Sequence, residues 1–277
     1  MRTLIIPDVH HRWEMVENII ARERYDKIVF TGDYFDARGE LDTIFDAGAT
    51  ARWLKNSLQD PRRIHLWGNH DISYGFDSWI AYCSGYSERK DHIIWQWMTR
   101  ADFSKLKFFH IEQDWLLTHA GLHPHFLPPM WQEKDVTCQN ISEYLDKESA
   151  QFEHNLLLNS SHWFITTSER RDRSAIGVKQ GGILWCDSRE FQPIKGISQI
   201  FGHTVQIDNP CLYDGQGRIL NGVGSLEERT NSSEGLDVPL CQRDNWNVCL
   251  DCNSKFYGVI EDGCLSIKPA ILNENKT

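Results

Sequence analysis

Five apolar runs in this chain of 277 residues each end at a residue able to hold a metal ion: LIIPDVH at 4–10, IVFTGD at 28–33, IHLWGNH at 64–70, LLTHAG at 116–121 and IFGHT at 200–204. Short hydrophobic stretches that stop at Asp, His or Asn read as parallel strands feeding one rim of a sheet, the edge at which open α/β sheets place their chemistry. The donors gathered there are Asp8, His10, Asp33, Asn69, His119 and His203. Imidazole and carboxylate without thiolate suit a pair of divalent first-row metals. Asp8 and His10 stand two apart, so extended backbone puts both side chains on one face. Asp33 is placed to be shared between the ions. With roughly 3.5–4 Å between them, a water held by both is acidic enough to attack phosphorus near neutral pH. A single DxH or GD is an ordinary strand-end turn or helix cap. Five in order predict a two-metal hydrolase.

The blocks PDVH, GDYFDARG, GNHD, THAG and GHT resemble those of the calcineurin-like metallophosphoesterases. ILWCDSRE at 183–190 is similar to the LWSDP-type block of the phosphoprotein phosphatase branch, which includes bacterial and phage protein phosphatases and symmetrical dinucleoside polyphosphate hydrolases. The matching blocks run from residue 4 to about 204, and VCLDCNSKFYGVI at 248–260 resembles the family's closing strands. The resemblance implies an α/β fold, a four-layer α/β/β/α metallophosphoesterase sandwich with a helical cap insertion. It also implies that Asp8, His10 and Asp33 hold a first metal while Asp33, Asn69, His119 and His203 hold a second. The ions are expected to be Mn²⁺, with Fe, Zn, Ni or Co as alternatives. Many relatives carry a further His where Val205 stands, which favours the phosphatase branch. His70 matches the family's general acid and Asp36 the carboxylate that orients it. The chemistry agrees, since an oxyanion leaving group needs a proton and a carboxylate partner keeps imidazole charged. The competing reading of Asp36 is a solvated turn carboxylate.

Two departures from the family pattern bear on the substrate. The branch reads GDxxDRG, whereas Asp36-Ala37-Arg38-Gly39 contains one extra residue. In a bulged loop the planar fork of Arg38 would bind two phosphate oxygens; otherwise it is a surface arginine. Relatives often place Arg immediately before GNH, where this chain has Trp67, and Arg189 is the next candidate to bind phosphate.

A single domain over 1–277 is expected, with insertions at about 72–105 and 123–182 and a surface loop at about 225–246. Met15, Val16, Ile19 and Ile20 predict one helix; Leu41, Ile44, Phe45, Leu54 and Leu58 a second; residues 141–158 a third. Tyr74, Trp79, Tyr82, Trp95 and Trp97 in the first insertion read as helix packing in preference to a base-stacking platform. Arg170, Arg171 and Arg173 read as a solvated turn, and His123 and His125 as loop histidines. Hairpins are expected around 214–217 and 261–263. No apolar run reaches the length of a membrane span, and the first strand begins at Thr3, which points to a cytoplasmic protein without a signal peptide. Eight cysteines then read as reduced thiols. Cys241, Cys249, Cys252 and Cys264 invite a zinc knuckle, but residues three apart in the strand NVCLDC face opposite sides.

With 39 acidic against 29 basic residues the formal charge is −10, which disfavours long nucleic acids as substrates. The expected partner is a phosphorylated substrate, a phosphoprotein or a nucleotide. The expected reaction is phosphomonoester hydrolysis, with phosphorylated Ser or Thr leading and a dinucleoside polyphosphate second, by direct attack of the bridging water. The rival class is a binding module that kept the fold and lost the chemistry, and it predicts eroded ligands.

Overall fold

Alternation along β1 (Arg2–Ile6) serves two cores at once: Leu4 and Ile6 pack toward helices, and Ile5 faces the opposite way, all three buried. The second sheet shows the same division, with Leu116 on the helical side of β5 (Trp115–Thr118) and Trp115 and Leu117 in the core between the sheets. A strand buried on both faces needs apolar side chains at every position, which is why these runs are continuous. The computed structural model describes residues 1–37, 42–76, 81–131, 136–158, 160–167, 180–206, 209–219, 236–241 and 245–270.

The remaining strands are β2 (Lys27–Phe30), β3 (Arg63–His65), β4 (Phe109–Glu112), β6 (Ser198–Phe201), β7 (Cys211–Tyr213), β8 (Leu236–Cys241), β9 (Asn247–Cys249), β10 (Phe256–Glu261) and β11 (Cys264–Pro269). They form a six-stranded sheet in the order β3-β2-β1-β10-β11-β8 and a five-stranded sheet in the order β4-β5-β6-β9-β7. The expectation of strands feeding one rim of one sheet needs correcting. β1, β2 and β3 are parallel neighbours in the first sheet, and β5 and β6 are parallel neighbours in the second. Uniformly apolar runs carry no mark of which sheet they join.

The helices are α1 (Trp13–Ile20), α2 (Ile44–Ser57), α3 (Asn69–Gly75), α4 (Glu88–Trp97), α5 (Arg100–Phe103) and α6 (Cys138–Leu157). Val16, Ile19 and Ile20 of α1 and Ala47, Ala51 and Leu54 of α2 share a core with the outer face of the first sheet. Ile141, Leu145, Phe152 and Leu156 of α6 share that cluster with Leu116, so the layers run α/β/β/α. The buried face of α2 differs from the one expected: Phe45 is 82% exposed, and small residues Ala47, Gly48 and Ala51 go inward. Gly48 allows close approach of α4, where an added Cβ would meet Ile93 at 3.0 Å. Leu41 and Trp79 lie outside the described residues. Tyr74 is buried as expected, whereas Tyr82 and Trp97 are exposed.

Residues 236–241 form β8 where a surface loop was expected. An edge strand interrupted by Pro239 lacks alternation of its own and takes its pairing from β11. Its register sets Cys241 opposite Cys264, and the two form a disulfide, so the expectation of reduced thiols fails for this pair. Among the described residues the other six cysteines are not joined in disulfides. The hairpin at 261–263 is present, with Asp262 and Gly263 both at positive φ (51° and 78°) joining β10 to β11. Among the described residues no helix is long and apolar enough to cross a membrane.

Buried histidines give the fold an acid limit. His65 lies between Ser57 Oγ (2.9 Å) and Tyr34 OH (3.0 Å), and burial lowers its pKa to about 3. Burial likewise lowers His123 to about 4. The unfolded chain takes these protons near 6.5, while the folded chain refuses them until those lower values. These two histidines therefore each cost stability as pH drops below 6.5, by up to about 1.4 kcal/mol per pH unit, against an opposite contribution from Asp71, whose buried carboxyl is raised to about 8, so the part due to His65 is read as the difference between the parent and His65→Gln. Urea unfolding compared near neutrality and about two pH units lower measures this. His65→Gln should flatten the slope, and an unchanged slope would refute the assignment.

Candidate metal centre

The donors are delivered by turns that interlock before any side chain is considered. Val9 and His10 donate their backbone N–H groups to the carbonyl of Asp33 at 3.1 and 2.7 Å, which ties the turn after β1 to the turn after β2. Asp71 ties the second turn to the third: its carboxylate accepts from the N–H groups of Tyr34 (2.8 Å), Phe35 (3.3 Å) and Gly68 (2.9 Å). His10, His11, Asp33, Asp36 and His203 all take positive φ. Such non-glycine residues each cost on the order of 1 kcal/mol and concentrate where side-chain placement outranks backbone comfort. Two glycines permit the packing: a Cβ at Gly68 would lie 2.1 Å from Asp33 Oδ1, and one at Gly202 would lie 1.9 Å from Asp8 Oδ1.

Asp33 is the hinge of the arrangement. Its Oδ2 lies 3.7 Å from His10 Nε2 and 3.5 Å from His119 Nε2, while Oδ1 accepts from the backbone N–H of His70 at 3.0 Å. Asp8, His10 and Asp33 form one group of converging donors, and Asp33, His119 and His203 another. Asn69 completes the second, its Oδ1 standing 2.8 Å from both His119 Nε2 and His203 Nδ1. Backbone carbonyls set the tautomers. His119 donates Nδ1–H to Thr31 O (2.9 Å) and His10 donates Nδ1–H to Asp36 O (2.6 Å), the tautomer that, in a neutral ring, turns the Nε2 lone pair toward Asp33.

Lone pairs from imidazole, amide and carboxylate that meet within hydrogen-bond distance repel unless a cation lies among them, so this donor set fits two divalent ions. The carboxylates make the same demand. Burial, then the charges of Asp251 and Asp33, push Asp8 well above the usual carboxylate range. Asp251 is itself raised by burial, and its Oδ2 has no hydrogen-bond donor among the described residues. Burial lowers His119, which keeps it in the neutral form a metal ligand needs. Asp33 remains below the usual range: burial opposes its charge, but His119, His70 and His10 outweigh that effect.

Beside the first group, His70 donates Nδ1–H to Asp36 Oδ2 at 2.9 Å, and Cys83 Sγ lies 3.2 Å from the same nitrogen. Burial pulls the His70 pKa down, yet the charge of Asp33 and the contacts with Asp36 and Cys83 hold it well above normal. Asp36 Oδ1 accepts from Tyr74 OH at 2.6 Å and pairs with Lys90 Nζ. Those bonds overcome the burial that would raise Asp36 and keep it below the usual range.

The structure thus brings together Asp8, His10, Asp33, Asn69, His119 and His203, with His70 and Asp36 alongside. The Arg189 guanidinium is 64% exposed and forks onto Asp187, with Nε 2.8 Å from Oδ1 and Nη2 2.7 Å from Oδ2. Arg38, Arg170, Arg171 and Arg173 lie outside the described residues. Trp67 is buried and stacks on Phe103 at 5.7 Å, so its position serves packing. His123 accepts from the His125 backbone N–H at 3.1 Å and belongs to neither donor group. Sequence reasoning missed Asp251, Asp71, Cys83, Tyr74 and Lys90. The first two stand inside VCLDC and GNHD, where the cysteines and the histidine drew attention; the other three carry no local signal.

Cys249 is buried, its thiol donating to the carbonyls of Gly202 (3.2 Å) and Thr204 (3.4 Å) on either side of His203. Replacing Cys249 and Cys252 with Ser is expected to leave metal stoichiometry unchanged. Loss of one tightly held zinc on elemental analysis would overturn this.

A profile of the calcineurin-like phosphoesterase family matches residues 1–206. Among solved structures the chain is similar to the cold-active protein-tyrosine phosphatase of the psychrophile Shewanella sp., at 13% identity and a TM-score of 0.52, over 97% of this chain and 78% of that one. A point mutant of a cold-active protein tyrosine phosphatase matches at 14% identity and a TM-score of 0.54 over the same shares, 97% and 78%. A putative diadenosine tetraphosphatase matches at 15% identity and a TM-score of 0.44, over 97% of this chain and 93% of that one. No curated protein matches the chain in sequence. At these identities the structural likeness speaks to the fold alone.

Proposed function

Because the chain belongs to the calcineurin-like phosphoesterase family, we propose that it is a phosphomonoesterase dependent on two metal ions, acting first on phosphorylated Ser or Thr side chains. Asp8, His10 and Asp33 would hold one ion and Asp33, Asn69, His119 and His203 the other, with Mn²⁺ the proposed metal. Bound there, the pair would acidify a water and neutralise phosphoryl oxygens. The chain's own residues do the rest. Asp36 keeps the Nδ1 proton of His70 in place, which leaves Nε2 to protonate the departing oxygen. Arg38 and Arg189 are the proposed phosphate-binding cations, Arg189 by exchanging Asp187 for a phosphoryl group.

The observation that carries this reading is the geometry of His70, whose Nδ1 is held 2.9 Å from Asp36 Oδ2 while its backbone N–H bonds the Asp33 hinge at 3.0 Å. A serine or threonine alkoxide is a poor leaving group and needs a proton. A nucleoside phosphate leaves as a stable anion and gains little from one. A proton donor held in this way favours alcohol esters over the phosphoanhydrides of a dinucleoside polyphosphate. The complete donor set argues against a binding module that lost its chemistry. Phosphopeptides, mononucleotides and dinucleoside polyphosphates compared by kcat/KM with manganese present test the choice. A preference of more than about tenfold for the dinucleotide, about 1.4 kcal/mol of transition-state binding, would overturn it.

A further inference from the structure

Asp36 is held from outside the metal-binding blocks. Lys90, in the first turn of α4, is only 4% exposed, and lysine is almost never buried unless paired. Its Nζ binds Asp36 Oδ1 and Asp42 Oδ1, the latter at 2.9 Å. Tyr74 OH donates to that same Asp36 Oδ1 at 2.6 Å, and its ring packs against Phe35 at 5.4 Å. With Oδ1 holding two donors, the carboxylate cannot turn without breaking both, and Oδ2 is left for His70 Nδ1 at 2.9 Å. The backbone of the same insertion closes over it, since a Cβ at Gly85 would lie 2.9 Å from Asp36 Oδ2.

We propose that Lys90 and Tyr74 are positioning residues that act through Asp36 on the proton donor His70, so that the first insertion is part of the leaving-group machinery. The inference rests on the phosphoesterase reading above. As the oxygen of the attacking water bonds to phosphorus and gives up a proton to solvent, the ester P–O bond breaks and its electron pair goes to the departing oxygen, which takes the proton from His70 Nε2. Lys90 and Tyr74 keep their own protons throughout. Lys90 and Tyr74 fix Asp36 Oδ1, so Oδ2 stays aimed at His70 Nδ1 and the ring cannot swing its Nε2 away.

A merely structural role would slow every substrate alike; a role in proton donation would not. The full chain carrying Lys90→Met, Lys90→Arg or Tyr74→Phe is assayed with manganese on a phosphoserine peptide and on dinitrophenyl phosphate, whose phenolate leaves without a proton. Lys90→Met is expected to lower kcat on the phosphoserine peptide by roughly 10–100-fold with KM little changed, and to leave dinitrophenyl phosphate within about twofold of the parent. Lys90→Arg should recover most of the loss. Tyr74→Phe, which keeps the ring packing, should show a smaller loss with the same selectivity and carries the test if Lys90→Met fails to fold. Equal losses on both esters, or none on either, would overturn the proposal. A parent protein that hydrolyses neither ester would instead refute the phosphoesterase reading.

Discussion

Asp33→Asn is expected to abolish activity and empty one or both metal positions. The carboxylate is the single group common to both donor sets, with Oδ2 3.7 Å from His10 Nε2 and 3.5 Å from His119 Nε2. An amide offers one neutral oxygen, so it cannot bridge two cations with charge. Its nitrogen would either face the His70 N–H at 3.0 Å, donor against donor, or turn toward His10 and His119 and replace a ligand oxygen with N–H groups that cannot hold a cation. These effects act on the same step, and a loss of at least about 10³-fold in kcat/KM, about 4 kcal/mol, is expected. Elemental analysis and manganese-supplemented kinetics on the same preparation measure both halves. Turnover at the parent rate with parent metal content would show that the site is misassigned.

His70→Asn separates proton donation from metal binding. His70 lies outside both donor groups, meeting the centre through its backbone N–H to Asp33 Oδ1 and through its side chain to Asp36. Metal content should therefore persist while turnover slows by roughly 10²–10³-fold, within the range of a lost general acid. The defect should shrink for esters whose leaving group departs without a proton. Equal slowing on good and poor leaving groups would remove His70 from the role.

Legibility from sequence followed the range of the interaction involved. The donors Asp8, His10, Asp33, Asn69, His119 and His203 could be read in order because each follows an apolar strand, and strand periodicity and turn chemistry are written within a few neighbouring residues. The hairpin at Asp262 and Gly263 was legible for the same reason. α2 was half legible: Leu54 faces inward, but Phe45 lies on the exposed side because α4 takes the small-residue face. β8 was invisible, since an edge strand pairs through its neighbour's hydrogen bonds and needs little pattern of its own.

By itself the sequence determined which atoms gather at the strand ends and what chemistry they suit, because ligand identity is covalent and each strand announces its own end. Only the tertiary structure decided how the strands divide between two sheets, since continuous apolar runs pair equally well with several partners. It alone set Cys241 opposite Cys264, turned the Arg189 fork onto Asp187, and brought Lys90 and Tyr74 to Asp36. Lys90 stands 54 positions from Asp36 in the chain, and contacts at that separation are specified by the summed packing of the elements between them, which no local pattern records.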